Sequence, residues 1–308
     1  MEALAGGAAA LLSAAIWGYS STLITRPAQI WGGQATNLFK SVIAAVLFLF
    51  AILVVLGPSA LNVPPEALWR FAISGVLGLA IADTGYLSAL KHIGPTLTAI
   101  VYETSGIFTC ILGVALLDER LTPGEIGAVA LVIGGVLLAV LDEPPAHVDR
   151  VHLLRGALYG LFAAAFHACG LIVNKAAFES LAAADGTIGF RAAMIAGFTR
   201  MTAAAIGLLV LGVVTGSLGR QTRPLREAAG WRASFFAAVL GSFVAMITMQ
   251  LSLTLLKTGI ASVLLSMTPI FTIPIAWKVL NHRPTWRAVA GAVIALAGAT
   301  LLSLGSPF

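Results

Sequence analysis

Ala89-Leu90-Lys91 followed by TAIVYETSGIFTCILGVALLDERL (98–121) has a second copy in the same chain. Leu255-Leu256-Lys257 is followed by ASVLLSMTPIFTIPIAWKVLNHRP (261–284). Ile107-Phe108 falls on Ile270-Phe271, Arg120 on Arg283 and Gly135 on Gly298, all at one offset of 163 residues. Further upstream, GGAAALLSAAIWG from Gly6 matches GALYGLFAAAFHA from Gly156 at an offset of 150. Each copy holds five apolar runs. An odd number of membrane crossings inverts the second copy relative to the first, and two inverted halves around a central seam are a common plan of secondary transporters.

The composition points the same way. Of 308 residues 59% are hydrophobic and 10% charged, with a mean hydropathy of +0.97. A soluble domain carries about 25% charged residues, so a water-facing surface cannot be made from this chain. The expectation is an all-α integral membrane protein of ten transmembrane helices in two inverted five-helix repeats. Residues 1–141 form the first repeat, 142–152 a linker and 153–308 the second repeat. The predicted spans are 4–25, 35–56, 68–90, 95–117 and 123–141, then 153–175, 192–215, 233–256, 259–279 and 285–304. Loops are expected at Gly57-Pro58, Pro64-Pro65, Gly94-Pro95, Pro144-Pro145, 219–224 and Arg283-Pro284. The N-terminal run has only Glu2 as a charge before Arg26, so it lacks the basic leader of a signal peptide and reads as helix 1.

The net charge of +5 sits singly or in short loops, with no basic stripe or aromatic interleaving. That excludes nucleic acid as a partner and favours membrane lipid. Cys110 and Cys169 lie in separate apolar runs and read as packing residues. No HExxH, Walker-type Gly-rich Lys motif or serine-protease signature occurs, so no catalytic residues, metal or cofactor are expected and the chain is not read as an enzyme.

Ala89-Leu90-Lys91, the span closing on LLDERLT (116–122), the Gly-rich last span, Thr268-Pro269-Ile270-Phe271 and Asp83-Thr84-Gly85-Tyr86 together resemble the EamA family of the drug/metabolite transporter superfamily. The resemblance covers essentially the whole chain and implies a transporter of small metabolites with both termini in the cytoplasm. The first copy departs in having Gly106 where the second has Pro269, and the second in having Asn281-His282 where the first has Asp118-Glu119. Lysines and arginines near the connections number 5 on the N-terminal side and 11 on the other. The positive-inside rule places that second side in the cytoplasm, against the resemblance, and orientation stays open between the two.

Polar side chains within the spans are costly in hydrocarbon and turn toward partners or cavities. Glu103, near the middle of helix 4, is the candidate for coupling transport to a proton. Asp83 in helix 3 serves either as a cavity acid or as half of an ion pair with Lys40 or Arg200, which match each other at an offset of 160. His167 matches Trp17 in helix 1, and the two are expected to flank one cavity. Asn174 follows His167 on nearly the same face. Tyr86, Tyr102, Gln250, Ser266 and Thr268 complete the predicted cavity lining, and Pro269 is the predicted hinge, freeing the carbonyl of Leu265 for a ligand. Helices 1, 3, 4, 6, 8 and 9 are expected around the cavity, with 5 and 10 packed behind.

The resulting expectation is a multi-pass protein of a bacterial inner membrane that exports a small polar or amphipathic metabolite, such as an amino acid, by alternating access. The alternative is a proton-coupled exporter of drugs and organic cations. A membrane enzyme or scaffold is the weakest of these readings.

Overall fold

In hydrocarbon every backbone N–H and C=O must find its partner inside the protein, which leaves helices as the outcome for apolar runs of this length. A computed structural model describes residues 2–102, 104–117, 120–140, 150–225, 228–268, 270–271, 275 and 286–305, and all regular structure among them is helical. The first half comprises α1 (Glu2–Trp31), α2 (Gly33–Ala51), α3 (Pro65–Gly75), α4 (Ala82–Tyr102), α5 (Thr104–Leu116) and α6 (Pro123–Val140). The second comprises α7 (Arg150–Asp185), α8 (Gly189–Val214), the short α9 (Leu218–Gln221), α10 (Trp231–Ala237), α11 (Ala245–Leu255), α12 (Thr258–Leu265) and α13 (Trp286–Gly305). Six helical stretches are long and apolar enough to cross a membrane, and three shorter apolar helices accompany them.

Three differences from the boundaries read from the sequence stand out, beside the run of α1 on past Thr25 to Trp31. Helical backbone continues through Gly94-Pro95 inside α4, where a loop was expected. Membrane helices tolerate proline where neighbouring helices can satisfy the carbonyl that it leaves free, so such a pair need not force a break. The segment 219–224 is partly ordered as α9 and a single 3-10 turn, Arg223–Leu225. The sixth span extends ten residues past Lys175, making α7 36 residues and about 54 Å long, well beyond the roughly 30 Å hydrocarbon core.

The outer surface is apolar. Val46, Phe50, Val54, Val55, Leu158, Phe162 and Val214 are all exposed, as a lipid-facing belt requires. Inside, small residues let backbones meet. At Gly135 of α6 an added Cβ would stand 2.5 Å from the nitrogen of Ala295 and 2.6 Å from the carbonyl oxygen of Gly291, both in α13. At Gly298 of α13 it would stand 2.9 Å from the oxygen of Ala128 and the nitrogen of Val132 in α6. Gly298, Gly291 and Ala295 are the repeat equivalents of Gly135, Ala128 and Val132. Each half thus offers the other the same patch, the signature of a twofold contact. The two last spans pack against each other, and neither contributes a residue to the cavity described below.

Two further segments bear on the site. Val76–Ile81, between α3 and α4, and Ala238–Val244, between α10 and α11, are π-helical. They occupy overlapping places in the two repeats. A π turn misaligns some carbonyls with the ladder, and such turns recur at functional sites. Here side chains from the neighbouring spans take those carbonyls. Asn37 of α2 donates to Leu79 O at 2.8 Å and to Ala80 O at 3.3 Å. Trp17 of α1 donates its indole N–H to Gly241 O at 2.8 Å. Ser13 and Ser20 extend that seam, donating to Ala245 O at 2.8 Å and Ala237 O at 3.1 Å.

Candidate functional site

Where α1, α4, α7 and the α10–α11 span converge, the helices frame a partly open cavity of about 140 Å³. Trp17, Asp83, Tyr86, Tyr102, His167 and Thr268 all line it. Both halves contribute, and Trp17 and His167, equivalent in the repeat, share the one cavity. Walls also come from Lys40 on α2 and Met201 on α8, the second and seventh spans, which the sequence reading left outside the cavity. Ser20, Ser21 and Ser242 are lining residues it did not select. Their hydroxyls are common in membrane helices and carry no signal of direction.

Charge in the cavity begins with Lys40 and Asp83, whose ammonium and carboxylate meet at 2.5 Å. The pair is mostly buried, at 11% and 20% side-chain exposure, so it is desolvated enough to be strong and open enough to be reached. Thr84, one residue on, accepts from Asn37 at 3.1 Å, which fixes α4 against α2 and orients the acid. Around the pair stand rings. Tyr86 meets Tyr102 edge-on at 4.9 Å between centroids, and Tyr102 meets His167 at 5.3 Å. An ion pair beside aromatic faces presents an anion, a cation and π surfaces to one solute.

Three predicted lining residues are placed elsewhere. Asn174 and Gln250 are fully buried and bond each other, Asn174 donating to Gln250 Oε1 at 3.0 Å. Arg200 donates to the same oxygen at 3.0 Å. The two amides satisfy one another away from the cavity lining, as buried amides must. Ser266 donates to Ser262 O at 3.0 Å and packs where Gly106 of α5 leaves room. Glu103 and Pro269 lie outside the described residues. The ladder already loosens ahead of position 269, where Ser266 and Met267 form a turn. The carbonyl of Leu265, expected to face a ligand, accepts the Thr268 hydroxyl at 2.9 Å.

The cavity lies toward the end of α1 remote from the N-terminus, between Trp17 and Ile24. On the N-terminal side the two halves are in direct contact. Gly6 abuts the side chains of Leu255 and Leu256. Lys257 donates to Glu125 Oε1 and Oε2 at 2.9 and 3.2 Å and to the carbonyl of Arg120 at 2.9 Å, tying the second half to the first. Glu125 also closes a capping box with Thr122 at the start of α6.

The profile of the EamA-like transporter family matches residues 4–141 and again 154–304. This chain belongs to that family. The double match is the two-repeat architecture that the 163-residue offset announces, and EamA-like proteins are membrane transporters, which makes this an integral multi-pass protein of the drug/metabolite class. The fold is also similar to that of a protein of known crystal structure, 16% identical, with a TM-score of 0.73 over 97% of this chain and 96% of the other. No curated protein matches.

Proposed function

We propose that this EamA-like protein is a secondary transporter that exports a small polar or amphipathic solute, such as an amino acid, across a bacterial inner membrane by alternating access. The observation that carries this reading is the cavity on the seam between the inverted halves, where the Lys40–Asp83 pair stands beside Tyr86, Tyr102, Trp17 and His167. A zwitterion matches both charges, and the rings match an apolar side chain. Closure on the N-terminal side by Lys257, Glu125 and Gly6 fits one end state of a rocking cycle, in which the seam opens on alternate sides.

A second reading, a proton-coupled exporter of organic cations, draws on Asp83 and the aromatic pair Tyr86–Tyr102, which suit a cation. Purified protein in proteoliposomes under an imposed pH gradient separates the two. Gradient-dependent flux of a neutral amino acid supports the first; flux of a quaternary or tertiary amine with no amino acid movement supports the second. No flux of either class would sink the transport reading.

A further inference from the structure

Lys40 and Arg200 occupy the same place in the two repeats, and so, within one residue, do Asp83 and Gln250. In the first half the cation meets a carboxylate. In the second it meets an amide, Arg200 Nη1 to Gln250 Oε1 at 3.0 Å, and the same oxygen is taken by Asn174. The exchange of acid for amide leaves the second cation without a hydrogen-bonded counter-charge among the described residues.

Arg200 is 0% exposed, the largest fully buried side chain among the described residues. Its Nε and Nη2 have no hydrogen-bond partner among them. A buried charge without a hydrogen-bonded counter-charge is unfavourable in a membrane protein, and Arg200 feels the Asp83 carboxylate only through space. The two empty donors are the side-on edge of the guanidinium, the pair of parallel N–H groups that fits a carboxylate in two bonds at once. Gln250, held by Asn174, fixes the third nitrogen and so aims that edge. Gly78 flanks it, since a Cβ there would come within 3.0 Å of Nη2. The neighbours of these residues in sequence, Met201, Met249 and Leu79, are cavity wall. The edge is enclosed in the protein, and two of these cavity-lining neighbours are methionines, whose three rotatable bonds let them move aside.

We propose that Arg200 is the anchor for a carboxylate carried by the transported solute, with Gln250 and Asn174 as its positioning residues. The solute supplies to Arg200 the hydrogen-bonded carboxylate that Asp83 supplies to Lys40. This rests on the transport reading above and adds to it the group recognised and the residue that recognises it.

The test uses the full-length protein and three probes of one shape: leucine, leucinamide, which lacks the carboxylate, and 4-methylpentanoate, which lacks the amine. Ligand-induced thermal shifts in detergent and flux in proteoliposomes are measured on wild type, Gln250→Glu and Arg200→Lys. The expected result is binding of leucine and 4-methylpentanoate by wild type and at least tenfold weaker binding of leucinamide. Gln250→Glu places a resident carboxylate against Arg200. It should melt at a higher temperature than wild type and lose at least tenfold in affinity for both carboxylates. Arg200→Lys, a point charge in place of a fork, should weaken the carboxylates about tenfold and leave leucinamide unchanged. Should Arg200→Lys fail to fold, Gln250→Glu alone decides. Carboxylates bound by Gln250→Glu as by wild type, or leucinamide bound as tightly as leucine, would overturn the anchor. Leucinamide or amine flux without carboxylate recognition also overturns it and leaves the transporter reading standing. Absence of any flux with no thermal shift overturns both.

Discussion

Lys257, in the turn before α12, holds both carboxylate oxygens of Glu125 at the start of α6, 132 residues away and in the other half of the molecule. The acid is almost wholly buried, at 2% side-chain exposure, and the lysine is a quarter exposed. Its repeat counterpart cannot form, because Lys91 matches Lys257 but Ala288 stands where an equivalent of Glu125 would be. Only one side of the seam carries this tie.

Glu125→Gln should therefore favour opening of the N-terminal side. A charge-assisted bond of this kind contributes roughly 2 kcal/mol, enough to change a two-state population by more than tenfold. Cys110 lies behind the tie, its sulfur 3.1 Å from where Gly259 would carry a Cβ. With Cys169 replaced by alanine, a water-soluble maleimide should label Cys110 at least tenfold faster in the variant than in the parent. Equal rates would show that the pair does not hold the seam.

Glu103 in the fourth span remains the coupling candidate. Glu103→Gln keeps the volume and removes the titrating group. Flux should fall at least tenfold, and what remains should no longer respond to a pH gradient, while the elution profile and melting temperature stay near those of wild type. Normal flux with normal gradient dependence removes Glu103 from the coupling role.

Trp17 and His167 line one cavity from the two halves. In a background with Cys110 and Cys169 replaced, single cysteines at positions 17 and 167 should both react with a small charged thiol reagent, and a transported solute should slow both reactions several-fold. Protection at one position only would place the solute against a single half. Loss of the Trp17 bond to Gly241 should lower stability by about 1 kcal/mol as well.

Gly135 and Gly134 are adjacent yet should respond oppositely to alanine. A Cβ at Gly135 meets the backbone of α13 at 2.5 Å, whereas one at Gly134 meets nothing within 4 Å. Gly135→Ala should destabilise by about 1–3 kcal/mol, and Gly134→Ala should be neutral or slightly favourable for the helix. Melting curves of the two variants, run side by side, decide it.

Pro269→Ala should slow turnover while leaving solute affinity near normal, because the helix is already loosened at Ser266 and Met267 and the proline keeps it from annealing. Binding and one-way flux on the same preparation separate the effects. A large loss of affinity with preserved turnover would make position 269 part of the site.

What the sequence disclosed, it disclosed through constraints on backbone. Gly135 and Gly298 are legible as a pair because two helices touching across a twofold axis demand a missing side chain at both equivalent places. Trp17 and His167 are legible for a related reason, since repeat symmetry maps equal depth onto equal depth. Asn174 and Gln250 show where that reading fails. Polarity inside a membrane says that a side chain needs a partner, not that the partner is a cavity, and these two found Arg200 and each other. The π turns at Val76–Ile81 and Ala238–Val244 carry no signature in their apolar residues. Their partners Asn37 and Trp17 are single side chains in distant spans, so nothing local announces them. The tie of Lys257 to Glu125 was hidden likewise, though Thr122 and Glu125 together spell a capping box.

Those π turns also set a phase. Each spreads its helical turn over more residues than the regular 3.6, so everything beyond Gly241 on its span is rotated relative to an uninterrupted helix. Met246 and Met249, which line the cavity, lie beyond that turn. Shortening the π segment by one residue would swing both by about 100° around the helix axis, toward a neighbouring helix or the lipid. The spans bearing these turns therefore tolerate a change of letter far more readily than a change of length.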